Sequence, residues 1–158
     1  MGVEIERKFL VDHEKWAQLS KQDGIHYRQG YILSNQQETI RVRVSDKDAF
    51  LNFKSKVSQT TRKEYEYEIP LKDGLEILNG FAKSGTEKVR YRIPFGTKVC
   101  EVDEFLGHNE GLIIAEIELD DEDEKFEKPD WIGAEVTEDG RYTNASLAVH
   151  PFKEWNNA

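Results

Sequence analysis

The sequence has little of what staples, spans or interrupts a fold. It holds one cysteine, Cys100, in 158 residues. That excludes a disulfide framework within the chain and leads us to expect a reducing, cytoplasmic setting. Only four prolines occur, and no Pro-, Gly- or Ser-rich linker breaks the chain, so a single domain over residues 1–158 is expected. No apolar run approaches the roughly 18 residues of a membrane span. The opening MGVEIERKFLV is charged where a signal peptide would be apolar. Neither GxxxxGK[ST] nor GxGxxG is present, which excludes the usual glycine loops that cradle nucleotide phosphates. Basic residues are the minority, 22 against 31 acidic ones, for a net charge of −9. That balance argues against broad nucleic-acid binding, which needs a net basic surface. It leaves room for a local basic pocket.

What the sequence does have is alternation with period two, the signature of strands. Eight strands are expected: Glu4–Val11, Ile25–Leu33, Thr39–Ser45, Phe50–Val57, Arg62–Ile69, Glu87–Ile93, Lys98–Phe105 and Leu112–Leu119. A helix from Asp12 to about Lys21 takes Asp12 as its N-cap. A second helix over Lys72–Ser84 carries Leu75, Leu78, Phe81 and Ala82 at helical spacing, with Gly85 as its stop. A short helix is expected over Asn144–Val149. Leu106–Gly111 is read as a hairpin turn, Asp120–Glu124 as a solvated helix start and Pro129–Gly133 as a turn with an apolar anchor.

One face of nearly every strand is apolar: Ile5 and Phe9; Ile40, Val42 and Val44; Leu51 and Phe53; Tyr65, Tyr67 and Ile69; Val89, Tyr91 and Ile93; Val102; Ile113, Ala115, Ile117 and Leu119. The other face is ionic, with charges paired at i, i+2. Glu4, Glu6 and Lys8 share a face, as do Arg41 and Arg43, Lys54 and Lys56, and Glu64, Glu66 and Glu68. Lys88, Arg90 and Arg92 follow, then Glu101 and Asp103, then Glu116 and Glu118. An ordinary solvated strand face is mixed, with Thr and scattered single charges. Adjacent cations on one face repel by roughly 4 kcal/mol at 4 Å and an effective dielectric near 20. A bound polyanion would relieve that. About eight antiparallel strands suffice to close a sheet around one small ligand. The fold expected is therefore α+β, a closed eight-stranded antiparallel barrel with a charged lumen and short helices packed outside.

The side chains of such a lumen imply phosphoryl transfer. Arg forks and Lys point charges hold phosphate oxygens. Clustered carboxylates without histidine or thiol suit a hard, oxygen-loving cation, Mg²⁺ or Mn²⁺. Side chains two apart on a strand are about 6.7 Å apart at Cα, so two Glu can reach one ion or two neighbouring ones.

In order along the chain, Glu4-Ile-Glu-Arg-Lys8, Arg41-Val-Arg43, Lys54-Ser-Lys56, Glu66-Tyr-Glu68, Lys88-Val-Arg90, Glu101-Val-Asp103 and Glu116-Ile-Glu118 resemble the ExExK, RxR, KxK, ExE, KxR, ExD and closing ExE strands of the CYTH family, the triphosphate tunnel metalloenzymes. Glu135-Val-Thr and Tyr142-Thr-Asn144 are similar to its C-terminal segment. The resemblance implies an eight-stranded tunnel that holds a triphosphate. Its members hydrolyse inorganic or thiamine triphosphate, or cyclise ATP, with Mg²⁺ or Mn²⁺. It implies metal- and water-positioning roles for Glu4, Glu6, Asp103, Glu116 and Glu118, with Glu4, Lys8, Glu116 and Glu118 at the reacting centre. It implies a phosphate clamp of Lys8, Arg41, Arg43, Lys54, Lys56, Lys88 and Arg90, with Lys56 and Arg92 matching less closely. Glu66, Glu68 and Glu101 would orient the clamp, and Glu64 would be a rim charge.

A small stand-alone chain of this kind implies hydrolysis of inorganic tripolyphosphate. Class IV-type adenylate cyclase, thiamine triphosphatase and a non-catalytic polyphosphate-binding module are the alternatives. The partner expected is a small-molecule triphosphate, with no nucleic acid and no membrane; a homodimer is left open. His13, His26, His108 and His150 share no ligand spacing and are read as surface residues, with a place at a tunnel mouth left open for His26. Cys100 is read as a buried structural thiol, and Trp16, Trp131 and Trp155 as packing anchors.

Overall fold

The computed structural model describes residues 2–155. Its strands are β1 (Gly2–Val11), β2 (Ile25–Ser34), β3 (Glu38–Val44), β4 (Ala49–Lys56), β5 (Thr61–Ile69), β6 (Ser84–Phe95), β7 (Lys98–Phe105), β8 (Ile113–Leu119) and β9 (Ile132–Glu135). Its helices are α1 (His13–Gln18), α2 (Leu71–Phe81) and α3 (Asn144–Val149). Every pairing is antiparallel, in the order β5-β4-β3-β2-β6-β7-β8-β1. A further β1–β5 pairing, from Gly2↔Glu64 to Ile5↔Thr61, joins the two ends into an eight-strand ring. Past Ile5 the same edge of β1 is taken over by β9, which pairs Phe9↔Glu135 and Val11↔Ile132. This four-residue strand is not expected from the sequence, where the segment reads as a turn.

Three apolar clusters cover the outer face, as the alternation requires. Phe9, Val11, Trp16, Cys100, Val102, Ala115, Ile117, Leu119 and Trp131 form the largest. Phe105, Leu112, Ile114 and Leu147 seat α3. Val42, Val44 and Ala49 lie under α2 with Leu71, Leu75 and Leu78. Gly74 lets α2 approach closely, because a Cβ there would lie 2.3 Å from the Ala49 Cβ. Cover is incomplete beyond α2, so Tyr67 and Phe53, expected in the core, are 57% and 36% exposed.

Asp12 caps α1 as expected, its carboxylate accepting from the Lys15 amide. That helix ends at Gln18, before the expected Lys21. α2 stops at Phe81, and Gly85 is not its cap. Gly85 lies inside β6, where a Cβ would meet the Gln29 carbonyl oxygen at 2.4 Å. The glycine is there for close backbone approach. The acidic run Asp120–Glu124 forms no helix. Its Glu122 instead accepts the hydroxyls of Ser58, Thr60 and Thr61 at the β4–β5 turn. No described helix is long and apolar enough to cross a membrane.

Candidate active site

The strand alternation that buries the apolar residues outside turns the ionic residues inward. Arg41, Lys88 and Glu116, on β3, β6 and β8, are only 9%, 1% and 8% exposed. Register then decides which charges meet. Lys8 lies opposite Glu116, Arg90 opposite Asp103, Glu101 opposite Glu116, and Lys54 opposite Glu64.

The tightest group is Asp103 with Arg90 and Lys88. Arg90 Nε and Nη2 donate to the two Asp103 oxygens at 2.7 and 2.9 Å, and Lys88 Nζ donates to Oδ2 at 2.7 Å. Burial alone would raise the Asp103 carboxyl, but Arg90 and Lys88 outweigh it and hold it far below the usual carboxylate range. Burial and the adjacent Arg90 charge push the Lys88 amine down to about 7. The guanidinium fork claims most of the carboxylate, so the lysine is the group left short of negative charge.

The other arc is richer in acid. Glu116 accepts from Arg90 at 3.1 Å and lies 3.5 Å from Lys8 Nζ. Lys8 also donates to Glu6 at 3.1 Å. Burial works against the Lys8 charge, yet Glu6 and Glu116 raise its amine above the ordinary lysine value. Glu4 lies 3.0 Å from Lys54 Nζ. A cavity of about 190 Å³ opens here, lined by Glu6, Glu101, Glu116, Glu118, Arg92 and Lys98 among others. Glu118 stands exposed at its mouth. Partial loss of solvent around its carboxyl and the charges of Glu4, Glu6, Glu64 and Glu101 raise its pKa above the ordinary value. The donors are carboxylate oxygens without imidazole or thiol, which suits a hard divalent cation. Among the described residues, no three acidic, imidazole or thiol groups are gathered as a ready-made ligand set.

Arg43 lies under the Tyr27 and Phe50 rings, with its guanidinium carbon 4.7 and 5.4 Å from their centroids. Burial and the neighbouring Arg41 charge lower its pKa. Its pairing with Glu66, at 3.8 Å, is loose. Arg41 is less satisfied still. Its Nε is buried without a hydrogen-bond partner, and no carboxylate among the described residues pairs with it. A nearly buried guanidinium with no counter-charge is costly, and an incoming anion removes that cost.

Of the residues singled out from sequence, Glu4, Glu6, Lys8, Arg41, Arg43, Lys54, Lys88, Arg90, Glu101, Asp103 and Glu116 share this interior. Lys56 and Glu68 lie exposed at strand ends, and Arg92 is 62% exposed in its side chain while it pairs with Glu101. Glu64 is no rim charge: it accepts from Asn52 at 2.7 Å and lies 3.7 Å from Lys54. His26 pairs with Glu87 on the outer face, away from the interior. Cys100 is 1% exposed and its thiol is pushed up to about 11 by burial, consistent with a structural role. The reading from charge alone missed Gln29, Asn52 and Thr86, all buried. Asn52 and Thr86 stand two residues before Lys54 and Lys88, so the period-two pattern contains them. Asn144, at the start of α3, accepts from Gln29 at 3.1 Å and from Lys88 at 3.2 Å, a contact that the resemblance of Tyr142-Thr-Asn144 to the family's C-terminal segment does not specify.

An antiparallel eight-strand ring with an ion-paired interior defines a class of site that would grip an anion with side chains instead of a backbone loop. The CYTH domain matches residues 2–149, and the chain belongs to that family. It is 49% identical over 156 residues to an inorganic triphosphatase of Acetivibrio thermocellus, covering 98% of this chain and 99% of the relative. It is 35% identical over 151 residues to an inorganic triphosphatase of Nitrosomonas europaea, covering 92% and 97%. A crystal structure of an inorganic triphosphatase aligns with a TM-score of 0.65 at 33% identity, covering 94% of this chain and 95% of the other. A crystal structure of a putative adenylate cyclase from Bacillus halodurans aligns at 0.63 and 16% identity, covering 77% and 84%, a likeness of fold alone.

Proposed function

We propose that this chain is a divalent-metal-dependent triphosphatase, cleaving inorganic tripolyphosphate to pyrophosphate and phosphate inside a closed β-tunnel. The observation that carries the reading is Arg41, a nearly buried cation with an unpartnered Nε and no carboxylate partner among the described residues. The names of the two full-length relatives support the choice of substrate.

In this reading Arg41, Arg43, Lys54, Lys88 and Arg90 hold the phosphate oxygens, and Arg90 and Lys8 link the clamp to the acidic arc through Glu116. Glu4, Glu6, Glu116 and Glu118 would hold the metal. When bound, the cation neutralises phosphoryl oxygens and lowers the pKa of a water. Asp103, expected among the metal ligands, is assigned to the clamp instead, because Arg90 and Lys88 occupy both its oxygens. Glu64, Glu66 and Glu101 orient clamp cations in the same way. Lys56, Arg92 and Glu68 have no central part.

The water oxygen forms a bond to the terminal phosphorus as the bond to the bridging oxygen breaks. The electron pair leaves with pyrophosphate, and the water proton passes to a carboxylate of the acidic arc. The clamp cations stabilise negative charge that builds on the leaving oxygen. Lys8, 3.1 Å from Glu6 and 3.5 Å from Glu116, sets a positive charge between these two carboxylates.

Phosphate release from tripolyphosphate, thiamine triphosphate, ATP and pyrophosphate, with Mg²⁺ or Mn²⁺, tests the proposal. Tripolyphosphate should be the best substrate, and excess EDTA should abolish turnover. Equal rates in EDTA would remove the metal from the mechanism. Cyclic AMP as the main product from ATP would favour a cyclase.

A further inference from the structure

Among the described residues, five buried side-chain atoms have no hydrogen-bond partner: Glu4 Oε1, Gln29 Oε1, Arg41 Nε, Arg43 Nε and Asn52 Oδ1. Two of them, a donor and an acceptor, belong to directly opposed residues. Arg41 and Asn52 are cross-strand partners on β3 and β4. Arg41 Nε is a donor without an acceptor, and Asn52 Oδ1 is an acceptor without a donor. Asn52 is 1% exposed. An orphaned buried acceptor is costly, so a site that keeps one has a use for it in another state.

The other half of the same amide is fully engaged. Asn52 Nδ2 donates to Glu64 Oε2 at 2.7 Å and to Glu66 Oε2 at 3.1 Å. Those same two oxygens face clamp cations: Glu64 Oε2 lies 3.7 Å from Lys54 Nζ, and Glu66 Oε2 lies 3.8 Å from Arg43 Nη2. One neutral side chain thus gathers two carboxylates that would otherwise repel, and each carboxylate faces one cation. No other residue type of this size serves. Asp would add a third negative charge and no donor, and Leu would leave both carboxylates and Arg41 unsupported.

Building on the triphosphatase reading, we propose that Asn52 is the positioning residue of the phosphate clamp. Through Nδ2 it sets Lys54 and Arg43 by way of Glu64 and Glu66. Through Oδ1 it takes an Arg41 N–H once phosphate oxygens have drawn the terminal guanidinium nitrogens into place. Asn52 need not touch the substrate; it acts through three cations that do.

The test is Asn52→Leu, with Asn52→Ser as a second variant in case the first does not fold. Steady-state kinetics with tripolyphosphate are paired with calorimetric binding of tripolyphosphate in EDTA, which reads the clamp without turnover. We expect KM and the metal-free Kd to rise about tenfold in both variants, the scale of losing one or two charge-assisted hydrogen bonds. The metal concentration that gives half-maximal rate should shift less than KM does, because only the Lys54–Glu4 pair links Asn52 to the acidic arc. The effect should also shrink in an Arg41→Ala background, as expected for residues that act as a unit. Wild-type KM and Kd with only a lower melting temperature, or full additivity with Arg41→Ala, would reduce Asn52 to a structural role. Those outcomes leave the triphosphatase reading standing. A wild-type chain that neither binds nor cleaves tripolyphosphate overturns both.

Discussion

Glu116→Gln should lower tripolyphosphate turnover about 10³-fold, within the range for loss of a catalytic carboxylate, while KM changes little. Glu116 is 8% exposed and stands where the two halves of the site meet, 3.1 Å from Arg90 and 3.5 Å from Lys8. Glutamine keeps the volume and can still accept from Arg90, but it loses the charge that would hold a metal and accept a proton. The fold survives the change because neither cation is orphaned: Lys8 keeps Glu6, and Arg90 keeps Asp103. Paired kcat and KM measurements with circular dichroism separate the two effects. A variant that turns over within tenfold of the original would remove Glu116 from the reacting centre.

Asp103→Asn carries the largest expected cost in stability. The carboxylate is 1% exposed and is bonded to Lys88, itself 1% exposed, and to Arg90. Removing its charge leaves buried Lys88 without a carboxylate partner beside Arg90, which keeps Glu116 and Glu101, for a destabilisation of about 3–5 kcal/mol. The pH dependence has a definite sign. The Asp103 carboxyl titrates far lower in the folded chain than in the unfolded one. Its contribution is therefore complete above the unfolded value of about 3.9 and fades as pH falls through the folded value. Denaturant midpoints of the two proteins should differ fully at pH 7 and converge in strong acid. Equal midpoints at pH 7 would mean that the Asp103 pairs contribute nothing net.

The ring was legible because strand side chains alternate strictly, so a single inward charge on each strand fixes the direction of all its neighbours. Residues 41, 43, 88, 90 and 116 needed no more than that. What stayed hidden depends on register or on a distant segment. Asp103 looks like any other acid until β6 places Arg90 opposite it. Glu64 looks like a rim charge until Lys54 is its cross-strand partner. Asn52, Gln29 and Thr86 sit on the ionic face but carry no charge to reveal it. Asn144 reaches Lys88 across 56 residues of sequence, and no local pattern reports such a contact. The helix end misplaced to Gly85 has a similar cause: glycine serves a helix stop and a crowded strand equally well, and only the nearness of Gln29 separates them.

The most direct measurement is the position of tripolyphosphate in a crystal of this chain grown with the anion and a divalent ion. The account places its phosphate oxygens against Arg41, Lys88 and Arg90, with the ion on the side of Glu4, Glu6, Glu116 and Glu118. An anion bound on the outer surface, with Arg41 left unpaired in an empty interior, would contradict it.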